Sequence, residues 1–213
     1  MARTAGNASV PCAGTICVAI ALACLTIAQA ADAAEQDAAK EQAQQILKAA
    51  GVTGGTIAHL GCGDGRLTAA LGAGGRFLVQ GLDTAATDVE AARKHLQALG
   101  VYGRVSAEPW SGKRLPYVSN LINLAVVEDP GGASTDEVMR VLAPLGVACV
   151  KRGGQWTTTV KPWPKEIDEW QQHFHDADNN AVAHDRAVGP PRHYQWIAEP
   201  QWMRSHMSMP SIT

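Results

Sequence analysis

Three glycines and one aspartate form the group of residues whose types and spacing say most about chemistry. Gly61, Gly63 and Gly65 alternate between a short apolar run and a helical segment, and Asp83 follows 22 residues after the first glycine. Glycine permits the positive φ angles of a sharp strand-to-helix turn and lets a ligand approach the backbone. A carboxylate at this spacing suits the ribose diol of an adenosine-type ligand. The pattern predicts a nucleoside-binding turn, with a tight turn that binds no ligand as the alternative.

The spacing of this turn argues against two common nucleotide sites. A dinucleotide site has the pattern G-x-G-x-x-G, whereas here the third glycine follows after one residue. Asp64 would also direct a negative charge towards a pyrophosphate. A phosphate-binding P-loop requires G-K followed by Ser or Thr, and the turn lacks this sequence. A cationic or neutral adenosine derivative is therefore the favoured ligand.

Histidines and aspartates gather again towards the end of the sequence, in the segments His173–Asp178 and Ala183–Asp185. Both residue types are ordinary ligands of zinc and iron. On a helix, however, His173 and His175 would point about 200° apart, so they could share an ion only on a strand or loop. Because the spacing matches no known metal motif, we predict no metal here. We expect a polar segment packed by neighbouring tryptophans instead.

The stretches between these motifs predict alternating strands and helices. Strands are expected at 56–60, 76–82, around 105, 121–127, 146–150 and 157–160, and helices at 35–50, 66–71, 88–99, 135–142 and 164–174. This order predicts an α/β domain over residues 31–160, a Rossmann-like parallel sheet with helices on both faces. Residues 161–213 are expected to form an irregular tail rich in Trp and His.

Composition narrows the partners and the class of protein. Hydrophobic residues make up 46% of the 213 residues and charged residues 18%, which is typical of a globular protein. The net charge of −2 and the lack of a long Lys/Arg run give no electrostatic support for a nucleic-acid partner. Five cysteines without a C-x-x-C pair argue against a disulfide scaffold and a structural zinc site.

Residues 1–30 read as a secretory signal. Arg3 precedes an apolar run from Cys12 to Ala28, and Ala28-Gln29-Ala30 has the A-x-A pattern of a cleavage site. The run falls short of the roughly 20 residues that span a bilayer, which disfavours an uncleaved anchor. We therefore predict export to the periplasm or the extracellular space, with no stable membrane span in the mature chain.

Four stretches, in order, resemble the motifs of the class I S-adenosylmethionine-dependent methyltransferases. They are His59–Gly65, Gly81–Asp83, Leu115–Tyr117 with Asn120–Val127, and Arg140–Gly146. The resemblance covers residues 45–151 and implies the class I fold, although the usual last two strands are not recognisable after residue 160. It implies S-adenosylmethionine as cofactor, a small-molecule methyl donor, and methyl transfer to an acceptor that these residues do not specify.

The resemblance also implies which residues bind the donor. The implied set is Gly61, Cys62, Gly63, Asp64, Gly65, Asp83, Thr84, Glu108, Asn123 and Leu124. The glycine turn would pass under the methionine part, Asp83 would take the ribose hydroxyls, and Glu108 would lie near the adenine. Asn123 and Leu124 would line the donor pocket. His59 departs from the family, where an acidic residue often holds the ammonium, and neutral imidazole is a poorer partner for a cation.

The tail has a narrower resemblance. Lys161–Trp170, Asn180–Asp185 and Gly189–Pro191 are similar to exported bacterial proteins in which a methyltransferase-like segment precedes a pyrroloquinoline-quinone-type β-propeller. In that interpretation residues 161–213 lead into a propeller that follows this chain. It implies an alternative function, a catalytically inactive module that serves as a structural or interaction domain. The export signal favours this alternative, whereas the intact glycine turn favours the enzyme.

Overall fold

The computed structural model describes residues 13–169, 175, 177 and 182–186, with side chains in the first helix described from residue 32 onward. The chain divides into two units, Met1–Trp163 and Pro164–Thr213. The first unit contains all the helices and strands named below.

The first unit is built on one six-stranded sheet. Its strands are β1 (Gly55–Leu60), β2 (Phe77–Asp83), β3 (Val105–Pro109), β4 (Ile122–Val127), β5 (Leu142–Arg152) and β6 (Gln155–Val160). Its helices are α1 (Ala13–Ala50), α2 (Arg66–Gly72), α3 (Ala86–Ala98) and α4 (Thr135–Val141). The strand order is β3-β2-β1-β4-β5-β6, with β6 antiparallel to β5 and the other neighbouring strands parallel.

Alternate strand residues build a core on each face of the sheet. On one face Ile57 of β1 packs with apolar residues of α1, α2 and α3, including Ile46, Leu71 and Leu96. On the other face Leu60 of β1 packs in a cluster with Val138 and Val141 of α4. Because both faces are covered, β4 is a nearly continuous buried apolar run. The predicted fold class, a Rossmann-like parallel sheet with helices on both faces, is confirmed, except that β6 is antiparallel to β5.

Two predicted helices differ from the observed elements. The helix expected at 35–50 begins at Ala13, because the alanine-rich sequence from Thr15 to Ala50 contains neither Gly nor Pro.

No helix in the described part of the chain is both long and apolar enough to cross a membrane.

The helix expected at 164–174 is absent from its described part, residues 164–169, which form a turn. Here Asp185 Oδ1 accepts a hydrogen bond from Asp168 N at 2.6 Å, and Asp168 Oδ1 accepts one from Glu169 N at 2.9 Å. Side-chain acceptors therefore take the N–H groups that a helix would use. Residues 170–174 lie outside the described residues.

Candidate functional site

The candidate site lies at the carboxyl edge of the sheet, beside β1. Leu60 at the end of β1 pairs with Leu82 of β2 on one side and with Val127 of β4 on the other. The connection after β1 leads to α2 on one face, and the connection after β4 leads to α4 on the opposite face. A crevice forms where successive connections diverge in this way, and it is the usual ligand position in open α/β sheets.

The glycine turn after β1 uses its three glycines for different purposes. Gly61, Gly63 and Gly65 have φ angles of 75°, 51° and 83°. A Cβ on Gly61 would lie 2.6 Å from Asp129 N, and one on Gly65 would lie 2.9 Å from Ala92 of α3, so packing requires both glycines. A Cβ on Gly63 would meet nothing within 4 Å. Gly63 is therefore the position where the turn leaves space for a ligand to approach the backbone.

Asp83 holds the end of β2 against this turn. Its Oδ2 accepts a hydrogen bond from Gly63 N at 3.0 Å, and its Oδ1 accepts one from Ala85 N at 3.0 Å. The residue is 9% exposed, so the carboxylate faces the turn rather than solvent. Each carboxylate oxygen keeps a second lone pair that can accept a hydroxyl proton. This geometry fits the predicted contact with a ribose diol.

Cys62 can contact a ligand only through its backbone. Its side chain packs under β2, where a Cβ on Gly81 would lie 2.8 Å from Cys62 Cβ. Burial, and then the charge of Asp83, raises the pKa of the thiol to about 12. The other described thiol in the first unit, Cys149 of β5, is also buried, and burial raises its pKa to about 11. Both side chains are core residues.

The charge of Asp64 is compensated locally. Its Oδ1 accepts a hydrogen bond from Arg66 N at 3.0 Å at the start of α2. The Arg66 guanidinium pairs with Asp64 and also with Asp32 of α1, and Glu35 lies 3.3 Å away. Asp64 therefore fixes the start of α2 and ties it to α1.

Glu108 and Thr84 lie at the same edge as the glycine turn. Glu108 pairs in register with Leu82 on β2, and its Oε2 accepts a hydrogen bond from Arg93 Nη2 of α3 at 2.6 Å. Thr84 follows Asp83 directly and is exposed. The predicted adenine and ribose residues are thus brought together with the turn, and their contact with a ligand remains a prediction.

A segment after β4 reaches across the crevice. In this bridging segment, Asp129–Gly132, a Cβ on Gly131 would lie 3.0 Å from Thr84 Cγ2 and 3.1 Å from the Trp110 ring. A Cβ on Gly132 would lie 2.5 Å from Gly112 O. Because β1 separates β4 from β2, the segment passes over the carboxyl end of β1. It narrows the space above Asp83.

Two residues of the implied set lie elsewhere. Asn123 is at the amino end of β4, where its Oδ1 accepts a hydrogen bond from Thr56 N at 2.9 Å. Leu124 is fully buried in the core beside Ile57. The expectation that both line the donor pocket is therefore corrected, because the carboxyl edge begins only after Val127. Asn123 helps pair β4 with β1, and Leu124 is a packing residue.

Two buried and two partly exposed polar side chains cross the β1–β4–β5 side of the same edge, and this group was not predicted from the sequence. His59 of β1 is fully buried, and its Nδ1 shares a hydrogen bond with Thr68 Oγ1 of α2 at 2.8 Å. Its Nε2 lies 3.6 Å from Glu128 Oε2, an ion-pair distance beyond hydrogen-bond range. Glu128 Oε1 accepts a hydrogen bond from Lys151 Nζ of β5 at 2.7 Å. We call these four residues the polar row.

Glu128 carries the negative charge of the polar row. The proximity of His59 and then of Lys151 holds the pKa of its carboxyl at about 2, against the opposing effect of burial. Its backbone N–H donates to Leu60 O at 3.0 Å, which places it directly beside the start of the glycine turn. The signal that could have found it is the acidic pair Glu128-Asp129 immediately after a buried parallel strand that ends at the same edge.

No protein-family model matches the chain, and no curated protein matches it. Solved structures match over about half of the chain. A Methanococcus maripaludis protein provisionally assigned as an S-adenosyl-L-methionine-dependent methyltransferase is 23% identical, with a TM-score of 0.49, over 55% of this chain and 56% of that chain. The cyclase SpnF is 21% identical, with a TM-score of 0.48, over 52% of this chain and 43% of that chain.

A third match is the geranyl diphosphate C-methyltransferase of Streptomyces coelicolor A3(2), solved with Mg²⁺, geranyl diphosphate and S-adenosyl-L-homocysteine. It is 17% identical, with a TM-score of 0.46, over 52% of this chain and 44% of that chain. This chain spans about half the length of these structures. The strand order, the glycine turn and the position of Asp83 are observed in the chain itself, and they define a Rossmann-like unit with a crevice at the carboxyl edge of its sheet.

Proposed function

We propose that the first unit binds S-adenosylmethionine at the glycine turn and is a methyltransferase. The observation that carries this proposal is the contact between Asp83 Oδ2 and Gly63 N at 3.0 Å, beside open space above Gly63. An accessible backbone and a carboxylate with spare lone pairs are what an adenosyl group needs in a crevice of this kind. Gly63 would lie against the ligand, and Asp83 would accept hydrogen bonds from its ribose hydroxyls.

Glu128 supplies a carboxylate for the donor's ammonium group, in place of the acidic residue that the family often has at the position of His59. A donor with an ammonium group favours a nearby carboxylate, and His59 is instead fully buried between Thr68 and Glu128. Glu128 is partly exposed and adjoins Leu60 through its backbone. We assign the ammonium contact to Glu128, with Lys151 and His59 fixing its position.

When bound, S-adenosylmethionine supplies a sulfonium methyl group for in-line transfer to a nucleophile. The chain contributes by holding donor and acceptor in attack geometry, which accounts for a large part of the acceleration of reactions between two substrates. Asp83 and Gly63 would fix the nucleoside, and Glu128 would fix the amino-acid end.

A second candidate function is favoured by the bridging segment. Because Gly131 contacts Thr84 and Trp110, the chain itself takes up part of the space above the crevice. A methyltransferase-like unit whose crevice is filled in this way would act as a structural or interaction module. This candidate agrees with the proposed export of the chain by residues 1–30 and with residues 161–213 leading into a β-propeller.

A calorimetric titration of the full-length chain with S-adenosylmethionine and S-adenosylhomocysteine separates the two candidates. We expect both to bind, and Asp83→Ala to weaken binding by about 1–3 kcal/mol through the lost hydrogen bonds to a charged group. Asp83→Asn keeps an acceptor for Gly63 N and separates loss of charge from loss of the turn. Asp37→Ala, at an exposed position of α1, is the matched control and should leave affinity unchanged. Absence of heat with the unsubstituted chain would reject the enzyme and favour the module.

A further inference from the structure

We propose that the second unit contains a divalent transition-metal site formed by Asp168, His175 and His184. Each residue offers one ligand atom, and the three atoms lie within 4.8 Å of one another. The set of two histidines and one carboxylate is a known arrangement for iron and zinc, which bind imidazole nitrogen and carboxylate oxygen together. The inference is independent of the proposed methyltransferase.

The three ligand atoms converge on one side of the Asp168 carboxylate. Asp168 Oδ2 shares a hydrogen bond with His175 Nε2 at 2.6 Å, which a bound ion would replace, and lies 3.6 Å from His184 Nδ1. Around a tetrahedral ion with bonds of about 2.0–2.1 Å, neighbouring ligand atoms stand roughly 3.4 Å apart. The observed separations lie on either side of that value. Movements of about an ångström would close the three atoms around an ion.

The two imidazoles are oriented so that both can contribute. Their ring centroids lie 5.0 Å apart with an interplanar angle of 80°. The lone pair of a ring nitrogen lies in the ring plane, so two nearly perpendicular rings can direct lone pairs to one point without stacking. An edge-on pair beside a shared carboxylate oxygen is the arrangement that a bound ion would need.

The backbone holds Asp168 and His184 together before any ion binds. His184 N donates a hydrogen bond to Asp168 Oδ2 at 2.6 Å, and Asp168 N donates one to Asp185 Oδ1 at 2.6 Å. His175 has a φ of 62°, in the left-handed region that non-glycine residues rarely adopt. Such a backbone is retained when the surroundings fix it, and it is common at binding sites.

The cluster is closed on one side and open on the other. His175 is 6% exposed, whereas the His184 side chain is 67% exposed. Asp168 and His184 also line a cavity of about 460 Å³ that includes Glu166 and Arg186. Three protein ligands next to an open cavity leave a coordination position for water or a substrate, as in catalytic rather than structural metal sites.

No metal was expected from the sequence, because the spacing within the histidine-rich stretches matches no known metal motif. The third ligand, Asp168, lies seven residues before His175, in a segment predicted to be helical. His173, Asp176 and Asp178, which suggested a metal in the first place, lie outside the described residues. The cluster therefore depends on contacts of Asp168 with His175 and His184, which are distant in sequence, and on no local motif.

Metal titration of the full-length chain, purified without a polyhistidine tag and freed of metal with a chelator, tests the site. We expect about one equivalent of Zn²⁺ by calorimetry and visible d–d absorption bands with Co²⁺. His184→Ala and Asp168→Asn should each weaken binding by about tenfold or more, since each removes a ligand or its charge. His95→Ala, on α3 of the first unit, is the matched control and should leave binding unchanged.

His175→Ala should also abolish the Co²⁺ bands, but it removes a buried side chain and can unfold the segment. His184→Ala alters an exposed side chain, so circular dichroism of that variant should match the unsubstituted chain. The proposal is overturned if the chain takes up no stoichiometric ion. It is also overturned if His184→Ala and Asp168→Asn bind as tightly as the unsubstituted chain, because the ion would then be held by other residues.

Discussion

The two halves of the carboxyl edge are built by different means. On the β1–β2 side, backbone atoms set the shape, since Gly61 and Gly65 allow close packing and Asp83 accepts hydrogen bonds only from backbone N–H groups. On the β4–β5 side, charged and polar side chains set the shape: buried His59 lies beside partly exposed Glu128, which pairs with partly exposed Lys151. The first half depends on space and φ angles, whereas the second depends on charge and therefore on pH.

The largest expected effect tests the backbone half. Gly65→Ala should lower the free energy of unfolding by about 2–4 kcal/mol, because the new Cβ would lie 2.9 Å from Ala92 at a φ of 83°. Gly63→Ala is the matched control in the same turn, with positive φ but nothing within 4 Å, and should cost about 1 kcal/mol. Urea denaturation followed by circular dichroism measures both.

Equal losses for the two variants would show that backbone strain alone, and not the approach of α3, explains Gly65. The shape of the β1–β2 half would then depend on the φ angles of its glycines and not on close packing. A larger loss for Gly65→Ala supports packing as the reason for the third glycine.

An intermediate effect tests the charged half. Glu128→Gln should lower the free energy of unfolding at neutral pH by about 1–2 kcal/mol, because Lys151 and His59 lose their negative partner. The folded-state pKa of Glu128 is about 2 against an ordinary 4.5, so its stabilisation is present above pH 4.5 and disappears as the pH falls towards 2. Denaturation at several pH values should show a smaller loss in this window for the variant.

Glu90→Gln is the control for this experiment. Glu90 pairs with Lys94 at 3.4 Å on the exposed surface of α3, and such pairs contribute about 0–1 kcal/mol. If both variants have the same acid dependence as the unsubstituted chain, the polar row does not stabilise the β4–β5 half through charge.

The smallest expected effect tests whether positive φ angles also favour glycine in the β4–β5 half of the edge. Leu145 of β5 has a φ of 63°, in the left-handed region that favours glycine, and is 59% exposed. Leu145→Gly should raise the free energy of unfolding by about 0.5–1 kcal/mol, since relief of the left-handed conformation exceeds the added backbone entropy. Leu99→Gly, an exposed leucine with a φ of −78°, should instead destabilise the chain. A loss with Leu145→Gly would contradict the argument.

The sequence predicted well the features that depend on neighbouring residues. The glycine turn, the position of Asp83 at the end of β2 and the buried run of β4 follow from local spacing and composition. Asn123 was misplaced because its position in the strand, and not its motif, decides which end of the sheet it occupies.

The remaining features depend on residues that are distant in sequence. Glu128 meets Lys151 across 23 residues, and Asp168 meets His184 across 16, so no local pattern marks either contact. The turn at 164–169 replaces the predicted helix because Asp185 takes a backbone N–H from 17 residues away. Local propensity cannot anticipate competition from so distant an acceptor.

The burial of Cys62 and Cys149 has a consequence for the compartment in which the unit can work. Only a thiolate attacks a disulfide or reacts readily with an oxidant. With pKa values of about 12 and 11, both groups stay protonated at neutral pH, and the surrounding core excludes reagents. These two cysteines are therefore expected to stay as free thiols in either a reducing or an oxidising environment.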